Sequence, residues 1–180
     1  MEISKGKMRT AAVSSLALFG FILLSLACAS APEPDTAIPK TTITIDDLNV
    51  WLKNQEVNLL ANNELTSNQL MEVTKLCIST GELTDVVILE ENEVLSYAVI
   101  GSNIKVGDVP LFFRFSYSIS KNGTLHMRIM DATEQSETTP FSKTMNSSDV
   151  ETYKASVIES FSSKLKKIGE TVLSRSADFA

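Results

Sequence analysis

The chain is poor in the residues that most often carry chemistry. Its 180 residues include one histidine, one tryptophan and two cysteines. No cysteine or histidine spacing fits a zinc site. The seven glycines form neither a phosphate-binding loop nor a nucleophile elbow, so no cofactor is expected. Glu90, Glu91 and Glu93 crowd together, but they lack the alternating oxygen ligands and the glycine of a calcium loop. Positive charge is scarce as well. The formal net charge is −6, and −8 once residues 1–28 are set aside. An acidic domain has no broad electrostatic grip on nucleic acid.

Long apolar runs are also few. The longest uncharged one, Ala11 to Cys28, follows Lys5, Lys7 and Arg9 and is interrupted by Ser14, Ser15, Gly20 and Ser25. It is shorter than the roughly 20 residues of a usual span. A basic start, an apolar middle and a small-residue end predict a secretory signal peptide over 1–28. Its end has two readings. Leu24-Ser25-Leu26-Ala27-Cys28 resembles a bacterial lipoprotein signal, which would make Cys28 the lipidated first residue. Ala27-Cys28-Ala29 also fits an A-x-A cleavage site, which would release a soluble periplasmic or secreted protein. Residues 29–40 carry Pro32, Glu33, Pro34, Asp35 and Pro39. They predict a tether reaching about 40 Å at roughly 3.3 Å per residue. Ala29, where an Asp would favour inner-membrane retention, points to the periplasmic side of the outer membrane. If Cys28 is modified, Cys77 has no intramolecular disulfide partner.

The remainder, 41–180, is expected to form one α+β domain centred on a hairpin. Leu111, Phe113, Phe115, Tyr117 and Ile119 alternate with Phe112, Arg114, Ser116, Ser118 and Ser120; Leu125, Met127 and Ile129 alternate with His126, Arg128 and Met130. A two-residue Asn-Gly turn would set Ile119 against His126. A three-residue loop, Lys121 to Gly123, instead pairs Ile119 with Leu125, Tyr117 with Met127 and Phe115 with Ile129, with Gly123 at a left-handed bulge position.

Around it the sequence predicts a strand over Thr41–Ile45. A helix capped by Thr44 or Asp46 follows, carrying Leu48, Trp51, Leu52 and Leu59 on one side. A weaker helix covers Ser67–Ser79, with a strand at Leu76–Ile78 as the competing assignment. Strands follow over Thr84–Leu89 and Val94–Ile100, separated by a turn at Glu90–Glu93, and Gly101–Asp108 leads into the hairpin. Ala132–Ser147 reads as a loop. Ser148 and Glu151 suggest a capping box. The helix beyond it runs from Asp149 to Arg175, with Val150, Tyr153, Val157, Phe161, Leu165, Ile168 and Val172 in one stripe. The expected fold is an antiparallel sheet of about five strands roofed by this helix, in the order β-α(α)-β-β-β-β-α.

With Trp51-Leu52 in the first helix and Lys121-Asn122-Gly123 at the hairpin, this arrangement resembles a family of bacterial exported domains of unknown function with a TATA-binding-protein-like fold. Asn122 and His126 depart from that family's pattern. The resemblance implies a fold and an exported address, not an activity.

Arg114, His126 and Arg128 would form a basic strip on neighbouring strands, the first candidate for binding a carboxylate, phosphate or acidic segment. Pairing of an arginine with Asp131 is the competing expectation. His126 beside Ser118 lacks an orienting carboxylate, which makes a hydrolase the third reading. Cys77 lies on an apolar stripe, as a packed thiol does. The leading expectation is therefore a non-enzymatic accessory or binding domain, attached to the membrane by its N-terminal lipid and facing an envelope protein partner. A carrier of hydrophobic ligands is the alternative. Oligomeric state stays open.

Overall fold

The computed structural model describes residues 37–61, 64–135 and 140–179. The signal peptide, Cys28 and most of the tether lie outside the described residues. The chain divides after Ile38, and the regular elements among the described residues belong to the unit Pro39–Ala180.

In chain order the elements are β1 (Lys40–Thr44), α1 (Ile45–Leu52), β2 (Glu56–Leu60), α2 (Ser67–Ser79), β3 (Val86–Asn92), β4 (Tyr97–Val106), β5 (Val109–Ile119), β6 (Thr124–Glu134), β7 (Ser142–Asn146) and α3 (Val150–Ser176). Five strands form an antiparallel sheet in the order β2-β6-β5-β4-β3, while β1 and β7 form a separate two-stranded ribbon. The α+β architecture with a long C-terminal helix is the expected one.

The β5–β6 hairpin turns as its side chains require. The Ser120 amide donates to the Thr124 carbonyl and the Gly123 amide to the Ser120 carbonyl, each at 2.9 Å. Gly123 has φ 79°, where a Cβ would be strained. Ile119 opposes Leu125, Tyr117 opposes Met127 and Phe115 opposes Ile129. Further along, Arg114 pairs with Asp131, leaving Met130 as an extra residue. This bulge turns Asp131 outward and lets Ala132 face the core, where it is buried.

The inner face is closed by α3. Val157, Phe161, Leu165, Ile168 and Val172 are buried, and the Phe161 ring meets Phe113 edge-on at 5.1 Å. Phe113 stacks on Phe115 at 5.6 Å. Gly169 brings α3 close to the sheet: a Cβ there would stand 2.6 Å from Leu59 Cδ1 and from Met127 Cε. On α2, the Thr74 hydroxyl donates to the Leu70 carbonyl at 2.8 Å and lies 3.0 Å from the buried Tyr117 hydroxyl.

Several expectations are corrected. The first helix ends at Leu52, and Asn54 takes a left-handed conformation at φ 70°. Leu59 therefore belongs to β2, opposite Leu125. The period-two pattern of Val57 and Leu59 decides it, and β2, not β1, enters the main sheet. Glu90–Asn92 continue β3, Glu93–Ser96 make the turn, and β4 runs on through Gly101 to Val106. Leu76–Ile78 are helical. The supposed loop 132–147 contains the end of β6 and all of β7. Ser148 does not cap α3 by a hydrogen bond; Ser147–Asp149 form a short 3₁₀ turn, and the Ser148 hydroxyl bonds to the Asp149 carboxylate. A reciprocal box lies at α2, where the Thr66 amide donates to Gln69 Oε1 at 2.9 Å and the Gln69 amide to Thr66 Oγ1 at 3.3 Å; at α1 the Thr44 amide and hydroxyl both donate to the Asp47 carboxylate at 2.8 Å.

Candidate functional site on the open face of the sheet

Helices cover one face of the sheet, and the predicted strip lies on the other. Strand register puts Asn58, His126, Ser118 and Tyr97 in one row across β2, β6, β5 and β4. The next row holds Glu56, Arg128, Ser116 and Val99, and a third holds Asp131, Arg114 and Gly101. The Phe112 ring lies over Gly101, in the space that a Cβ would fill.

The structure thus brings Arg114, His126 and Arg128 onto one surface, but it matches both guanidiniums. Arg114 Nε donates to Asp131 Oδ1 at 2.8 Å, and its Nη2 reaches Oδ2 of the same carboxylate. That two-point contact pushes the Arg114 pKa up. Arg128 Nη2 lies 3.3 Å from Glu56 Oε2. The Asn58 amide donates to Glu56 at 2.6 Å. This bond first, and Arg128 second, holds the Glu56 carboxyl below its usual range. Both arginines of the strip thus stand beside a carboxylate, Arg114 with Asp131 in one row and Arg128 with Glu56 in the next.

His126 sits opposite Ser118 as expected. Among the described residues no hydrogen bond orients its imidazole. At the row's far end the Tyr97 hydroxyl donates to Glu90 Oε1 at 3.2 Å, and the charge of Glu90 raises the Tyr97 pKa. Cys77 is buried, and loss of water pushes its thiol up, away from the reactive thiolate. Among the described residues no group of three or more His, Cys, Asp and Glu could hold a metal ion. Nor is any helix there long and apolar enough to cross a membrane.

Chemically, this face offers a dense set of hydroxyl, amide and matched ionic groups. Glu56 and Asn58 are the participants that sequence reasoning missed. Their signal was the alternation Glu56-Val57-Asn58-Leu59, assigned to the tail of a helix. Compared with known proteins, the chain matches no family model and no curated protein.

Proposed function

We propose that this chain is a non-enzymatic accessory or binding domain of the bacterial cell envelope, held to the membrane by a lipid on Cys28. The address rests on the basic start, the apolar run and the Pro-rich acidic stretch that follows Cys28. The binding role rests on one observation: a sheet face on which Arg114 is held by Asp131 and Arg128 by Glu56, in rows that also carry the hydroxyls of Ser116 and Ser118. The resemblance to TATA-binding-protein-like exported domains belongs to the same reading. It rests on Trp51-Leu52 in α1 and Lys121-Asn122-Gly123 at the hairpin, within an α+β chain that ends in a long helix.

The hydrophobic-ligand reading has less support, because the rings of Phe113, Phe115 and Phe161 pack on one another where a ligand would sit. Metabolic labelling with a fatty acid tests the anchor. Wild-type protein should take up label and sediment with membranes, and Cys28→Ser should do neither. A wild-type chain that stays unlabelled and soluble refutes the anchor.

A further inference from the structure

Exposed apolar side chains are concentrated on one ribbon of the molecule. Val87 (46% exposed), Leu89 (47%), Val94 (92%) and Leu95 (67%) all lie within β3 and the turn after it. Among the described residues β3 is a terminal strand paired with β4 alone, so its other edge is open to a further strand, and a bulge at Leu89 leaves Val87 and Glu90 on the open face of the sheet. The opposite terminal strand, β2, presents Glu56 and Asn58 outward, with Leu60 as its exposed large apolar residue. The Leu95 amide donates to Asn92 Oδ1 at 2.9 Å, and Ser96 adopts φ 55°, unfavourable for a residue with a Cβ.

The charge around this edge defines what fits it. Asp85, Glu90, Glu91 and Glu93 flank or belong to β3. Lys164 lies 3.5 Å from Asp85 and Lys75 lies 3.0 Å from Glu91, while among the described residues Glu90 receives the Tyr97 hydroxyl and no cation. Pairing two copies along this edge would set carboxylates against carboxylates in an already acidic protein. We propose that the free edge of β3, with Val94 and Leu95, docks an extended segment of another protein whose side chains along one face run from apolar to basic. The segment extends the sheet by one strand. Main-chain hydrogen bonds supply its register, Val87 and Leu89 supply apolar contact, and Glu90 and Glu93 select its positive charge. The inference holds whatever the fate of Cys28, and its test makes no use of the anchor.

The probe is a fluorescent octapeptide with valine at positions 2 and 4, lysine at positions 6 and 8 and threonine between them, added to the full-length chain, with glutamate in place of lysine in the control. The lysine peptide should bind saturably and release as salt rises, and the glutamate peptide should not bind. Leu89→Lys, at an exposed position, should weaken binding by about tenfold or more, whereas Leu60→Lys on the opposite edge should leave it unchanged. Backbone amide shifts should concentrate in residues 86–92. Equal binding of both peptides, indifference to Leu89→Lys, or shifts confined to β2 would overturn the proposal. So would a dimer that Leu89→Lys dissociates.

Discussion

The buried pair Thr74–Tyr117 allows an energetic prediction whose sign depends on which partner is removed. The Thr74 hydroxyl has one proton, which it gives to the Leu70 carbonyl at 2.8 Å. The Tyr117 hydroxyl, 3.0 Å away, must therefore donate to Thr74 Oγ1. Burial holds the Tyr117 phenol far above its usual pKa, so it keeps this proton throughout the ordinary pH range. Tyr117→Phe removes the donor and leaves Thr74 still bonded to Leu70, at a cost of about 0.5–1.5 kcal/mol. Thr74→Val strands the phenol hydroxyl between helix and sheet without a partner, at about 1–3 kcal/mol. With the hydroxyl already gone, the same Thr-to-Val exchange removes little more than a redundant bond to a carbonyl that the helix already uses. The double variant should thus lie close to Tyr117→Phe alone, with a coupling of about 1 kcal/mol or more. Urea unfolding of the four proteins, with equal slopes, measures it. Additivity within about 0.5 kcal/mol would refute the reasoning.

Three further outcomes are expected. Phe161→Ala, which empties the contact with Phe113, should cost about 3–5 kcal/mol, or unfold the domain, by the same urea assay. Ser102→Ala should stabilise, by about 1 kcal/mol, because the buried Ser102 hydroxyl has no hydrogen-bond partner among the described residues; a raised melting temperature checks this. Asp47 is held below the usual carboxylate range first by the Thr44 amide and then by the Thr44 hydroxyl. Its contribution is therefore present above the ordinary aspartate pKa and is lost as pH falls through the lowered folded value. Asp47→Ala should lower stability by about 0.3–1.5 kcal/mol at neutral pH, and the difference from wild type should vanish in acid melts.

How much could be read in advance depended on whether side chains or the backbone made the decision. The hairpin register was legible because slipping by one residue would bury His126 and Arg128 in place of Leu125 and Met127. Both α2 and α3 were legible from their apolar stripes. β7 was not: Ser142-Lys143-Thr144-Met145-Asn146 is mostly exposed and is held by backbone pairing to β1, which leaves little pattern. β2 was lost to the preceding helix because Leu59 falls at a helical interval from Leu52 as readily as at a strand interval from Val57. At the candidate site, the sequence put Arg114 and Arg128 on one face. Their neutralisation depended on the bulge at Met130 and on a strand from elsewhere in the chain, and neither leaves a local mark.

The ribbon of β1 and β7 also determines how the domain would respond to a pull. Lys40, where a tether would enter, pairs with Asn146, the last residue before the turn into α3. Traction on the N-terminal side and the resistance of the long helix thus meet at the same end of the ribbon. Loaded in this way, the five paired positions would open in succession, like a zip fastener, rather than sliding apart together. The first mechanical event would be a low-force lengthening by a single short strand, with the five-stranded sheet still intact.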